Sequence, residues 1–126
     1  MTDKPIGAIE WRDLTVDDAD SVKDFYAQVV GWNTGSVSMG DYDDYTMSLP
    51  GSGETIAGVC HARGSNAGLP PQWMMYVRVA DADASANRVL ELGGEIIQGP
   101  RTMAGDIYYM IKDPAGAVLS IFSSTG

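Results

Sequence analysis

Residues Trp11 to Trp32 read W-R-D-L-T-V-D-D-A-D-S-V-K-D-F-Y-A-Q-V-V-G-W, and Met74 to Glu95 read M-M-Y-V-R-V-A-D-A-D-A-S-A-N-R-V-L-E-L-G-G-E. Each has the pattern of a strand, a sharp acidic turn, an amphipathic helix and a glycine stop. An offset of 63, half of the 126 residues, superposes them. Val16, Asp18, Ala19, Asp20 and Gly31 recur as Val79, Asp81, Ala82, Asp83 and Gly94. Further on, Asp43, Tyr45, Met47 and Gly53 recur as Asp106, Tyr108, Met110 and Gly116. The identities fall on the same structural landmarks, so the chain reads as two copies of one supersecondary unit.

Around this core the elements follow in order. Ile6–Val16 is expected to form the first strand, after a frayed, polar Met1–Pro5. Asp17 or Asp18 caps a helix, because a side-chain carboxylate can accept a bond from an orphan backbone N–H. Ala19, Val22, Tyr26, Val29 and Val30 make its apolar stripe. Gly31 ends it as a left-handed glycine does. Three strands are expected next, at Gly35–Met39, Tyr45–Leu49 and Thr55–Ala62. Arg63–Pro71, rich in Gly, Pro, Ser and Asn, reads as a linker. The second copy runs from Gln72–Val79 through a helix capped by Asp81, with stripe Ala82, Ala86, Val89 and Leu90. Gly93-Gly94 stops that helix. Glu95–Gln98, Ile107–Lys112 and Ala117–Ser123 are the last strands. The expectation is one α+β domain, residues 1–126. It is made of two βαβββ modules, about 5–62 and about 72–124, joined by 63–71.

Composition bounds the function. The chain is 44% hydrophobic and 20% charged, ordinary for a globular protein. It has no apolar run long enough for a membrane span and no signal-peptide pattern. A net charge of −9 disfavours nucleic acid, which needs a basic face. It favours cationic ligands. The single cysteine, Cys60, has no internal partner, as expected of a reducing, cytoplasmic setting.

The segment F-Y-A-Q-V-V-G-W at Phe25–Trp32, the turn D-P-A-G at Asp113–Gly116 before the last strand, and the paired modules together resemble the vicinal oxygen chelate superfamily. That group holds glyoxalase I, the bleomycin-resistance proteins, fosfomycin-resistance enzymes and extradiol dioxygenases. The resemblance implies a glyoxalase-like fold, with two modules whose curved sheets form a cleft. It also implies a divalent metal held by His, Gln or Glu on the first and last strands of each module. Carried over residue by residue, the ligand positions fall on Trp11, on Ala57 or Gly58, on Met74 and on Ser120. None is a plausible ligand for such an ion. The expected cofactor is therefore none, and the expected metal none.

Other clusters do not replace the missing donors. His61 is next to Cys60, and neighbours on a strand point to opposite faces. Asp17, Asp18 and Asp20 sit at a helix start, and Asp41, Asp43 and Asp44 in a turn, where acids are favoured by the dipole and by backbone geometry.

By strand alternation one face carries Trp11, Asp13 and Thr15 from the first strand. The second module contributes Gln72, Met74, Tyr76 and Arg78, and the last strand Val118, Ser120 and Phe122. Gly58 and Cys60 join from the fourth strand if it keeps the family register. Trp11, Asp13, Cys60, Met74, Tyr76, Arg78, Ser120 and Phe122 are the candidate ligand-binding residues. An apolar wall with a few polar groups is the usual make-up of a small-molecule site. Arg78 is expected either to pair with Asp13 or to bind an anion. Two functions remain open. One is metal-independent sequestration of a flat cationic or aromatic small molecule. The other is a glyoxalase-like lyase or isomerase whose base is Asp13, Glu10 or Tyr76. The expected assembly is a homodimer, with no nucleic-acid or membrane partner.

Overall fold

The computed structural model describes residues 5–64 and 67–125. The expectations for residues 1–4 and for 65 and 66 within the linker lie outside the described residues. The elements observed are β1 (Ile9–Val16), α1 (Ala19–Val30), β2 (Asn33–Ser38), β3 (Asp43–Ser48) and β4 (Thr55–His61). They continue as β5 (Trp73–Arg78), α2 (Ala82–Glu91), β6 (Glu95–Met103), β7 (Asp106–Lys112) and β8 (Val118–Ser124). This is βαβββ twice, an α+β fold, as the repeat predicts.

Residues 11–73 form one compact unit. Residues up to Glu10, together with those from Met74 on, form the other. In the first unit the strands lie in the order β2-β3-β4-β1. The β1–β4 pair is parallel and the others antiparallel. In the second the order is β6-β7-β8-β5, again with one parallel pair, β5–β8. The segment before β1 belongs to this second unit through its backbone. Gly7 N donates to Arg78 O at 2.7 Å, and Arg78 N donates to Ala8 O at 2.9 Å.

Both helices start as the sequence dictates. Asp18 accepts from Ser21 N at 3.1 Å, and Asp81 accepts from Ala84 N at 3.2 Å. α1 stops at Gly31, whose φ of 91° is left-handed. Small residues bring each helix onto its sheet. Ala19 is fully buried against Tyr45, Met47, Ala57 and Val59. Ala82 and Ala86 pack on Tyr109 and Ile121. Truncating the fully buried Met47 to Ala removes contacts worth about 2–5 kcal/mol.

The helix stripes are shorter than the periodicity predicts. Val29, Val30 and Leu90 are exposed rather than buried. Each core needs only the first turns of its helix, where the alanines allow close approach. Strand β6 is longer than expected, running to Met103 instead of Gln98. Around Gly99-Pro100 the register slips between Gln98 and Arg101, and the pairing with β7 then resumes. A proline is tolerated on such an edge strand because its missing N–H faces no neighbour.

Candidate functional site

In the first unit the register of β1 against β4 fixes which residues share a face. Asp13 lies beside Gly58, and Thr15 beside Cys60. Trp11 stands two residues before Asp13, and its Nε1 donates to Asp13 Oδ1 at 2.6 Å. Gly58 leaves the room for this pair. A Cβ on Gly58 would collide with Asp13 Oδ1 and lie 3.6 Å from Trp11 Cζ2. Ala57, the alternative family position, is fully buried in the core against α1 instead. Trp11, Asp13 and Cys60 are half-buried, and Thr15 is buried. Burial, reinforced by the charges of Asp13 and Asp44, pushes the Cys60 thiol up to about 12. It is therefore neither a thiolate nucleophile nor a ready ligand at neutral pH.

His61 points away from this chemistry. Its backbone N–H donates to Asp44 Oδ1 at 2.8 Å. Its ring meets Tyr42 edge-on at 5.4 Å.

In the second unit β5, β8 and β7 build a second face. Tyr76 lies beside Ser120, and Arg78 beside Phe122. Tyr108 lies on the other side of Phe122. Ser120 Oγ donates to Met74 Sδ at 3.4 Å, and both residues are buried. Tyr108 stacks on Phe122 with ring centroids 5.3 Å apart and 16° between planes. Tyr76 meets Tyr108 edge-on at 6.2 Å. The Arg78 guanidinium sits 4.7 Å from the Phe122 ring centroid. Phe122 itself is buried, so Tyr76, Tyr108 and Arg78 are the half-buried members of this face. Burial, with the nearby Asp106 carboxylate, raises the Tyr108 phenol. It stays a neutral donor at physiological pH.

Within its own unit Arg78 has a carboxylate partner that the sequence reading did not assign to it. Arg78 is held by Glu10, which accepts from Nε and, at 3.2 Å, from Nη2. The backbone pairing of residues 7 and 8 with Arg78 brings Glu10 alongside it. That bond keeps Arg78 charged by raising its pKa. Gln72, expected on the face, precedes β5. Tyr108 is the face residue that strand reasoning passed over; its alternation with Met110 in β7 was the available signal. Glu10, a residue of β1 that the sequence offers only as a base, is the partner of Arg78, and strand alignment rather than a local pattern sets this.

The metal positions can now be tested by their donors. Trp11 offers an indole N–H that is given to Asp13. Gly58 has no side chain, and Met74 and Ser120 bond to each other. Among the described residues no three of His, Cys, Asp and Glu converge as a metal site. These residues do not fit the divalent ion of the resembled family. Also among the described residues, no helix is long and apolar enough to cross a membrane.

Comparison with known proteins gives the family. The chain is 31% identical to CFP32 of Mycobacterium tuberculosis over 130 residues, 94% of this chain and 46% of that one. It is 30% identical to the anthracycline biosynthesis protein DnrV of Streptomyces peucetius over 135 residues, 97% of this chain and 49% of that one. The chain thus spans about half the length of the curated relatives it matches. Among solved structures, methylmalonyl-CoA epimerase from Mycobacterium tuberculosis superposes with a TM-score of 0.57 at 17% identity, covering 100% of this chain and 94% of that one. The profile of the Glyoxalase/Bleomycin resistance protein/Dioxygenase superfamily matches residues 7–121, and the chain belongs to that superfamily.

Proposed function

We propose that the protein binds a small molecule without a metal, holding it on the faces that carry Trp11, Asp13 and Cys60 and Met74, Tyr76, Arg78, Ser120 and Phe122. The donor chemistry at the four metal positions carries this reading. An indole committed to Asp13, a glycine and a Met–Ser pair supply no coordinating set. At these four positions the Lewis acid on which the chemistry of this superfamily rests would find no ligands.

In the first unit the half-buried Trp11 offers flat apolar surface beside the negative charge of Asp13, and in the second the half-buried Tyr76 and Tyr108 offer another. A planar aromatic ligand, cationic or neutral, suits such a surface. The name of DnrV places that protein in anthracycline biosynthesis. This supports a small-molecule ligand for the present chain. The lyase or isomerase alternative needs a free base. Asp13 holds the Trp11 indole and Glu10 holds Arg78, so both carboxylates are engaged. We place the protein in the cytoplasm and expect it to act as a homodimer.

Elemental analysis of the purified protein, paired with an assay on the methylglyoxal–glutathione adduct, tests the reading. It predicts no stoichiometric metal and no turnover. About one zinc, nickel, manganese or iron per chain, lost on mutating Trp11, Met74 or Ser120, would sink it.

A further inference from the structure

The two copies of the repeat fill the space beneath their helices differently. Under α1 that space holds Tyr26, Trp32 and Trp73. The Tyr26 and Trp73 rings lie 5.2 Å apart, Trp32 and Trp73 lie 5.9 Å apart, and Trp73 Nε1 donates to Tyr26 Oη at 3.1 Å. The offset of 63 is anchored by the caps Asp18 and Asp81. It puts Val89 where Tyr26 stands and Ser85 where Val22 stands. Past the left-handed Gly31 and Gly93, where β2 starts at Asn33 and β6 at Glu95, Gly94 matches Trp32 and lines the cavity. Among the described residues no aromatic side chain lines the corresponding space under α2, and a cavity of about 340 Å³ opens there. Val79, Val89, Leu92, Ile111 and Ile121 give it apolar walls. That volume falls in the range of small-molecule pockets.

The mouth differs as well. Arg88 takes the place of Phe25, and Lys112 at the end of β7 brings a second cation. Their acidic neighbours Glu91 and Glu95 are well exposed, at 59% and 69%. Surface pairs of this kind contribute little and exchange partners readily. The carboxylate of Asp113, also on the rim, is turned to its own turn and accepts from Ala115 N and Ala117 N at 2.8 and 3.0 Å. In a chain with only eight Lys and Arg against 17 Asp and Glu, two cations flank one apolar mouth.

We infer that this cavity is a second ligand site, for a planar aromatic carboxylate. The ring body occupies the space that Tyr26, Trp32 and Trp73 fill in the first copy. The anionic head lies between Arg88 and Lys112, where its charge is neutralised. This site is on the helix side of its sheet and is independent of the metal-free site proposed above.

The probe is naphthylacetate, titrated into the isotopically labelled protein and followed by amide shifts. Saturable shifts at Val89, Leu92 and Ile111 are expected, with a Kd below about 1 mM. Naphthylmethylammonium, the same ring with the opposite charge, binds about tenfold more weakly. Filling the cavity by Val89→Trp or Ser85→Phe lowers affinity about tenfold or more while circular dichroism stays native. The surface pair Arg88→Glu with Lys112→Glu, which leaves the core untouched, reverses the preference between the two probes. The inference is overturned by any of three results: no saturable shift, shifts that cluster around Trp11 and Tyr76 instead, or equal affinity for the two probes in the wild-type protein.

Discussion

The phenol of Tyr45, on β3, donates its hydrogen bond to the carboxylate of Asp20 in the first turn of α1. Tyr109, on β7, does the same to Asp83 in the first turn of α2. Each helix is thus tied to its sheet by one Tyr–Asp bond placed where the repeat puts an acid. The bond to Asp20, with burial second, pushes the Tyr45 phenol up to about 12.

Tyr45→Phe should therefore cost about 0.5–1.5 kcal/mol, the net value of one hydrogen bond, since the Asp20 acceptor is largely exposed. The pH dependence has a definite sign. A raised pKa means that the contribution of Tyr45 is complete below the ordinary tyrosine value near 10 and is lost as pH rises through about 12. Urea unfolding of wild type and Tyr45→Phe should converge in that alkaline window. A difference that persists unchanged above it would refute the tie.

Gly58→Ala tests the first face. The added methyl collides with Asp13 and crowds Trp11, so the Trp11–Asp13 bond must break or β4 must shift. A loss of about 1–3 kcal/mol is expected, as for overpacking. A red-shifted Trp11 fluorescence should accompany it. Wild-type stability and spectrum in the variant would show that the glycine is not needed there.

Cys60 should be slow to react. With its pKa raised to about 12, almost none of it is thiolate at pH 8, whereas an ordinary thiol of pKa about 8.5 is appreciably ionised. Alkylation by iodoacetamide should lag behind free cysteine by at least about tenfold. A rate equal to that of free cysteine would contradict the burial.

Much of this was legible in the sequence, for reasons that differ by element. The caps Asp18 and Asp81 and the stop at Gly31 are local chemistry, so the helix starts were readable directly. The shared face of Trp11 and Asp13 follows from the period of a strand. Within the units, Trp11 lies near Gly58 and Ser120 Oγ donates to Met74 Sδ. The choice between Ala57 and Gly58 was not readable, because one residue of slip reverses a side chain. The Arg78 partner was not readable either. It depends on the strand alignment that sets Glu10 beside β5, and no local pattern encodes that alignment. Val29 and Val30 misled because helical period says which face is apolar and not where the sheet beneath it ends.

Those exposed residues bear on assembly. Phe25, Val29 and Val30 leave apolar surface on α1, and the edges of the sheets are further docking surface. Light scattering should give about twice the 13.4 kDa chain mass. Phe25→Glu with Val29→Glu should shift that mass toward the monomer. A wild-type mass near 13.4 kDa at micromolar concentration would contradict the homodimer.

Metal-free binding on the Trp11 face is tested most directly by calorimetric titration of a planar aromatic cation, proflavine, into EDTA-treated wild-type protein and into Trp11→Ala. Trp11 is half-buried, so the variant should stay folded. The account predicts saturable binding that chelation leaves within about twofold and that Trp11→Ala weakens by about 0.5–2 kcal/mol. Binding that disappears with EDTA and returns with a divalent metal, or that is indifferent to Trp11, would contradict it.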